Sequence, residues 1–151
     1  MTALYEETVY ADDVADGDEE RKVVDSVERE DFVRYAGASG DFTRFHYDEP
    51  YAKEIGNPSV FAQGMLVAGY ADTLLSNWFG LERIDRFRVR FQSRVWPGDR
   101  IVVTATVTDV TETDDGDVVD VDVSITNGDD EEVIAGDATA TLPEEGGGPD
   151  A

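Results

Sequence analysis

Residues 63–79 read QGMLVAGYADTLLSNWF, a segment that is apolar on most faces of a helix. Its apolar side chains recur at steps of three and four residues, at Val67, Tyr70, Ala71, Leu74, Leu75 and Trp78. This spacing predicts an α-helix, and a helix with so little polar surface is expected to lie buried at the centre of the fold. Gly80 follows the segment and is expected to end the helix.

Downstream of this helix the apolar period changes to two residues. Apolar and polar residues alternate over four segments, residues 86–91, 101–108, 119–125 and 134–142. Turn sequences separate them: WPGD at 96–99, DDGD at 114–117 and NGDD at 127–130. Strands that bury one face and expose the other form an antiparallel sheet packed on a layer of helix. The sequence therefore predicts an α+β fold in which an antiparallel sheet wraps one long central helix.

Shorter elements are predicted upstream of the central helix. A strand is expected near Lys22–Val27, followed by a helix over about Arg29–Ala36 that Gly37 would end. Asp48 is expected to cap another short helix, which has Pro50 in its first turn. The single histidine of the chain, at position 46, would then lie in the loop between two helices.

The composition describes a folded and strongly acidic chain. It has 35 Asp and Glu against 12 Lys and Arg, a formal charge of −23, and 40% hydrophobic residues. The apolar content argues against an acidic disordered protein, and the charge would repel nucleic acid and anionic membranes. One domain over residues 1–143 is predicted, adapted to high salt as in halophiles, with a disordered tail over 144–151.

The sequence lacks cysteine and an N-terminal signal region, which limits the possible site chemistry and location. The chain has no cysteine, so disulfides, thiolate nucleophiles and cysteine-bound metals are excluded. No metal and no cofactor are expected. The first residues, MTALYEETVYADD, contain neither a basic nor an apolar signal region, and a cytoplasmic location is expected.

Three motifs carry a resemblance to a known family. They are YAGASGDFTRFHYD at 35–48, SVFAQGMLVAG at 59–69 and VWPGD at 95–99. Together they resemble the MaoC-like family of (R)-specific enoyl-CoA hydratases and 3-hydroxyacyl-thioester dehydratases, over residues 13–143. The resemblance implies the hot-dog fold, which agrees with the predicted helix and sheet.

The resemblance also implies the catalytic groups. The matching Asp and His form the catalytic pair of the family, so Asp41 and His46 are expected to activate water for attack at C3 and to protonate C2. Histidine suits this work because it titrates near neutral pH. The backbone N–H of Gly64, at the start of the central helix, is expected to bind the thioester oxygen. Without the resemblance, a lone loop histidine is more often a surface or hydrogen-bonded residue than a catalyst, and Ser-Gly-Asp alone is a common turn.

Further residues are candidates for substrate binding. Phe42, Phe45, Tyr47 and Phe61 are expected to line an acyl pocket, although aromatic residues beside a loop are more often core. Gln63 stands where many relatives have His, and is expected to set the approach to the helix end.

The sequence departs from the family pattern in the catalytic loop. Thr43 and Arg44 replace an Asn-Pro pair, which puts the orientation of His46 in question. Asp72 stands where some relatives carry Ser, and is either a second carboxylate near the site or a solvated or Arg-paired residue. Arg86, Arg88 and Arg90 alternate along one strand, where pairing with acids is favoured over binding the phosphates of coenzyme A.

The implied function is reversible syn hydration of a trans-2-enoyl-CoA thioester. Two alternatives remain open: an acyl-CoA thioesterase on the same fold, and a non-catalytic or heteromeric subunit that binds acyl-CoA. A homodimer or higher oligomer is expected, because a thin sheet around one helix leaves an edge strand exposed.

Overall fold

The computed structural model describes residues 8–145 of the chain. The strands are β1 (Glu19–Val24), β2 (Ile84–Phe91), β3 (Ile101–Thr113), β4 (Gly116–Thr126) and β5 (Glu132–Leu142). The α-helices are α1 (Arg29–Ser39), α2 (Glu49–Glu54) and α3 (Gly64–Phe79). Short 3-10 turns lie at Ala11–Asp13, Arg44–His46 and Leu81–Arg83.

The strands form one antiparallel sheet in the order β1-β3-β4-β5-β2. Hairpins join β3 to β4 and β4 to β5, whereas β2 pairs with β5 at one edge and β1 pairs with β3 at the other. The sequence thus predicted the four downstream strands correctly, and their two-residue period places one face of each against the core.

The core lies between α3 and the inner face of the sheet. Helix α3 packs against β1, β2, β3 and β5, and its Ala71 and Leu75 are fully buried. The sheet contributes fully buried Ile101, Val119 and Ile125. The prediction of an α+β, hot-dog arrangement with a buried central helix is confirmed.

The end of α1 differs from the prediction. Gly37 lies inside the helix, which continues to Ser39 and ends at Gly40. Gly40 has φ 79°, a left-handed conformation that favours glycine, and its N–H donates to the carbonyl of Ala36 at 2.9 Å. The added residues bring Asp41 directly after the helix end.

The first strand also lies earlier than predicted. It covers Glu19–Val24 rather than Lys22–Val27, because the backbone of buried Val27 bonds instead to the turn at 96–99.

The predicted cap of α2 is correct, since the Asp48 side chain accepts from the N–H of Tyr51 at 3.2 Å. Most of the tail predicted over 144–151 lies outside the described residues, so its disorder stays a prediction.

None of the helices within residues 8–145 is long and apolar enough to cross a membrane.

Candidate active site

A cleft of about 530 Å³ opens at the start of α3. Its walls come from the loop after α1, the segment just before α3 and the segment that follows β2. Asp41, His46 and Gly64 all line it, so the structure brings together the three groups that the sequence predicted to be catalytic. The other lining residues are Phe61, Ala62, Met65, Val67, Phe91, Gln92, Ser93, Arg94, Val95 and Ile134.

His46 is held firmly in this cleft. It closes the 3-10 turn Arg44–His46 and is only 7% exposed. Its Nδ1 lies 2.7 Å from the carbonyl oxygen of Phe61. Because a carbonyl can only accept, Nδ1 carries the proton and donates, which leaves a lone pair on Nε2 when the ring is neutral. The imidazole therefore presents a base to the cleft.

Asp41 faces that base. Its Oδ2 lies 3.8 Å from Nε2 of His46, too far for a direct hydrogen bond but suited to a water molecule held by both. Its Oδ1 accepts from the hydroxyl of Thr43 at 2.6 Å and from the N–H of the same residue at 3.2 Å. The Thr43 hydroxyl is the main reason that the pKa of Asp41 lies below its usual range, and His46 also lowers it. Asp41 is therefore ionised at neutral pH.

Gly64 is the first residue of α3, so its N–H has no acceptor within the helix. A side chain at this position would collide with Phe91, whose ring carbon lies 2.7 Å from the place of a Cβ atom. The partial positive charge of a helix N-terminus favours an anionic oxygen here. The absence of a side chain makes room for the Phe91 ring, and both residues line the cleft.

The four candidate aromatic residues separate into two pairs. Phe61 lines the cleft, and Phe45 stacks on it with ring centroids 4.9 Å apart. Both rings also meet His46 edge to face, at 5.1 Å and 4.6 Å. Phe42 and Tyr47 are 60% and 52% exposed and do not line the cleft. The 3-10 turn directs the side chain of His46 inward, and the side chain of the next residue, Tyr47, lies in solvent.

Gln63 has a position different from the one predicted for a substrate-binding residue. It is 1% exposed, does not line the cleft, and donates from Nε2 to the carbonyl of Phe32 at 2.9 Å. It thereby ties the beginning of α3 to α1. This position agrees with the expectation that Gln63 sets the approach to the helix end, and a role in substrate binding stays a prediction.

The departures in the catalytic loop are compensated within the loop. Thr43 holds the carboxylate of Asp41, as described above. Arg44 forms an ion pair with Asp48 at 2.8 Å and lies over the ring of Tyr51 at 4.1 Å. The loop thus keeps its shape without a proline, and the orientation of His46 is fixed by Phe61.

The other sequence candidates lie away from the cleft. Arg86 and Arg88 both pair with Asp137 of β5, at 3.3 Å and 3.1 Å, which confirms the favoured interpretation for these two. Those ion pairs lower the pKa of Asp137. Arg90 has no carboxylate in ion-pair range among the described residues. Asp72 is half-buried on α3 and does not line the cleft.

Arg94 is a cleft residue that the sequence analysis missed. It precedes the WPGD turn, and its guanidinium lies over the face of Phe61, 4.9 Å from the ring centroid. The signal available in the sequence was a single basic residue beside a recognised motif, in a chain where basic residues are few.

Comparisons with known proteins agree with this geometry. The profile of a family described as MaoC like domain matches residues 12–129. No curated protein sequence matched the chain.

Solved structures show the same fold. The unliganded R-hydratase PhaJ1 from Pseudomonas aeruginosa is 21% identical, with a TM-score of 0.80 over 91% of this chain and 87% of that one. The (R)-hydratase from A. caviae involved in PHA biosynthesis is 21% identical, with a TM-score of 0.77 over 86% of this chain and 98% of that one. A protein described as a monoamine oxidase regulatory protein from Archaeoglobus fulgius is 25% identical, with a TM-score of 0.76 over 91% and 95%.

Proposed function

The chain belongs to the MaoC-like domain family, and from this premise we propose that it is an (R)-specific enoyl-CoA hydratase, equally a 3-hydroxyacyl-CoA dehydratase. The observation that carries the proposal is the convergence of Asp41, Nε2 of His46 and the Gly64 amide on one cleft. These groups are what reversible addition of water to a trans-2-enoyl thioester requires. The reaction needs neither a metal nor a redox cofactor.

The protonation states suggest a division of labour. A water between the two side chains donates one hydrogen to the Asp41 carboxylate and the other to Nε2 of His46. As its oxygen attacks C3, Nε2 takes the proton, and the negative charge moves through C2 to the thioester oxygen. The imidazolium, stabilised by Asp41, then returns the proton to C2. Hydroxyl and hydrogen reach the same face of the substrate, and both side chains regain their starting states.

The thioester oxygen carries negative charge between these two steps. The Gly64 N–H can donate to that oxygen, and the dipole of α3 favours the charge. This interaction strengthens as charge develops, so it stabilises the transition state more than the bound substrate.

The direct test is to incubate the purified protein with trans-2-butenoyl-CoA in molar KCl and to follow loss of the enoyl absorbance. We expect the product to be (R)-3-hydroxybutyryl-CoA, identified by chiral chromatography. Release of free coenzyme A without a hydroxyacyl product would instead identify a thioesterase, and binding without turnover would identify a non-catalytic subunit.

We further propose a homodimer. Strand β2 is an edge of the sheet, and beside it the cleft residues Met65 and Phe91 are 56% and 54% exposed. Pairing of two copies would cover the edge and these apolar side chains. Light scattering in molar KCl should give twice the formula mass of 16.6 kDa, and an active monomer would contradict the proposal.

A further inference from the structure

Arg94 is the one cation among the described residues that line the cleft, and Asp41 is the one acid there. The two do not form an ion pair, and within residues 8–145 no carboxylate lies within 4.0 Å of the Arg94 guanidinium. Arg94 therefore faces the cleft with its positive charge unpaired, in a chain whose formal charge is −23.

The backbone around Arg94 is fixed on both sides. The N–H of Gln92 donates to the carbonyl of Val133 at 2.9 Å, and the carbonyl of buried Val95 accepts from the N–H of Ala62 at 2.9 Å. The side chain itself rests on the Phe61 ring, an arrangement that favours a guanidinium through cation–π attraction. Although the Arg94 side chain is exposed, its fixed backbone and its contact with Phe61 keep the charge at the cleft.

Arg94 and His46 line the same cleft and share one aromatic neighbour, Phe61. The Phe61 ring that supports Arg94 also meets the His46 ring at 5.1 Å, and the Phe61 carbonyl fixes that imidazole. The Phe61 ring therefore contacts both the guanidinium of Arg94 and the imidazole of His46. A ligand group that contacts Arg94 therefore lies in the same cleft as the carbons on which His46 is proposed to act.

The negative net charge of the chain makes a local cation important for binding anions. A strongly acidic protein repels anionic ligands, so an anion that enters the cleft needs a local positive partner. Guanidinium groups bind carboxylates and phosphates in a planar, two-point geometry. The pantetheine arm of coenzyme A is uncharged between the thioester and its first phosphate. Near the reacting carbons, the anion that a thioester substrate can supply is therefore a carboxylate on its acyl chain.

We propose that Arg94 is a specificity-determining residue, which selects enoyl thioesters whose short acyl chain ends in a carboxylate. The inference rests on the proposed hydratase function for the reaction, and on the cleft geometry for the recognition. Arg94 binds substrate and product alike, so its loss should raise KM for carboxylated substrates and leave kcat largely unchanged.

Binding tests the recognition without any need for turnover. Calorimetry in molar KCl would compare glutaryl-CoA with valeryl-CoA, which have equal chain lengths and differ in the terminal carboxylate. We expect the wild-type protein to bind glutaryl-CoA roughly ten- to a hundredfold more tightly, the usual range for a hydrogen-bonded charge. Arg94→Gln should abolish that preference, and Arg94→Lys should keep part of it. Arg100→Gln, which makes the same charge change at an exposed residue outside the cleft, is the matched control.

The same acyl groups on N-acetylcysteamine, which has no phosphate, identify the source of the anion. A preference that persists in these thioesters and disappears in Arg94→Gln supports the acyl carboxylate. If Arg94→Gln weakens both CoA thioesters equally and leaves the cysteamine thioesters unchanged, Arg94 binds a phosphate and the proposal is wrong. Equal weakening of all four ligands, or no preference in the wild-type protein, also overturns it.

Turnover of glutaconyl-CoA against 2-pentenoyl-CoA completes the test. We expect Arg94→Gln to raise KM for glutaconyl-CoA alone. If the binding preference is found but neither compound is hydrated, the hydratase function fails while the role of Arg94 stands. If both compounds are hydrated at equal kcat/KM by wild type and variant, the role of Arg94 fails while the hydratase function stands.

Discussion

The sheet and the proposed active-site cleft are built in opposite ways. Over residues 101–107 of β3, 119–125 of β4 and 138–142 of β5 every second residue is apolar and buried, so many side chains together hold the strands to α3. The cleft depends on single atoms: one carbonyl orients His46, and one hydroxyl holds Asp41. Stability is therefore spread over many contacts, whereas the proposed chemistry is concentrated in a few, and variants of the two regions should fail differently.

The largest effect is expected from the catalytic pair. His46→Ala and Asp41→Asn should each lower kcat by about a hundredfold or more, since general acid–base catalysis contributes on this scale. The fold should persist, because the described contacts of both side chains are local, to residues of their own loop and to the carbonyl and ring of Phe61. Initial rates with trans-2-butenoyl-CoA, beside circular dichroism and melting curves, measure the two properties separately. A folded variant with near wild-type turnover would show that the pair is not catalytic.

A core variant of the sheet should show the reverse pattern. Ile125 of β4 is fully buried, so Ile125→Ala should lower the free energy of unfolding by about 2–5 kcal/mol. The melting temperature should fall by roughly 5–20 °C. Per folded molecule, kcat well below that temperature should stay near the wild-type value. A large loss of kcat with unchanged stability would contradict the division between the two regions.

Salt should act on the sheet more than on the cleft. Asp109 and Asp120 oppose each other across the outer face, and neither forms an ion pair among the described residues; like charges in this position are destabilising. Between about 0.01 M and 1 M salt the Debye length falls from about 30 Å to about 3 Å, which screens that repulsion. We expect the melting temperature to rise by several degrees as KCl increases into the molar range.

The matched variant for this experiment is Asp120→Asn, which removes one of the opposed charges. It should raise the melting temperature at low salt and reduce the dependence on KCl. A flat or falling curve for the wild-type protein would exclude a salt-adapted surface without bearing on the catalytic pair.

The smallest effect is expected from Thr43→Val, which changes one hydrogen bond in the cleft. The Thr43 hydroxyl lowers the pKa of Asp41, so its removal should move that pKa upward. The carboxylate would then be protonated at a higher pH, and the acid limb of the kcat/KM profile should shift to higher pH. At neutral pH the loss should stay within about tenfold. Thr43→Ser keeps the hydroxyl and should leave the acid limb in place; an unmoved limb in Thr43→Val would exclude this role of Thr43.

The sequence by itself determined the central helix and the sheet around it. Val67, Ala71 and Leu75 repeat with the period of a helix, and β3 to β5 alternate with the period of a strand, so local spacing carries the information. Short-range capping was also readable, because the cap of α2 by Asp48 involves neighbours in the chain. Asp41, His46 and Gly64 were identified by resemblance, and their meeting in one cleft agrees with it.

Only the tertiary structure decided how the site is oriented. The hydrogen bond from His46 to Phe61 joins residues 15 apart in sequence, and the one from Gln63 to Phe32 joins residues 31 apart. The inward or outward direction of Phe61 and Phe42 follows from how the loops pack, and so does the placement of Arg94 over Phe61. Hydrophobic periodicity in the sequence cannot predict such contacts. Each is a single contact between residues far apart in the chain, and it forms only when the sheet packs around α3.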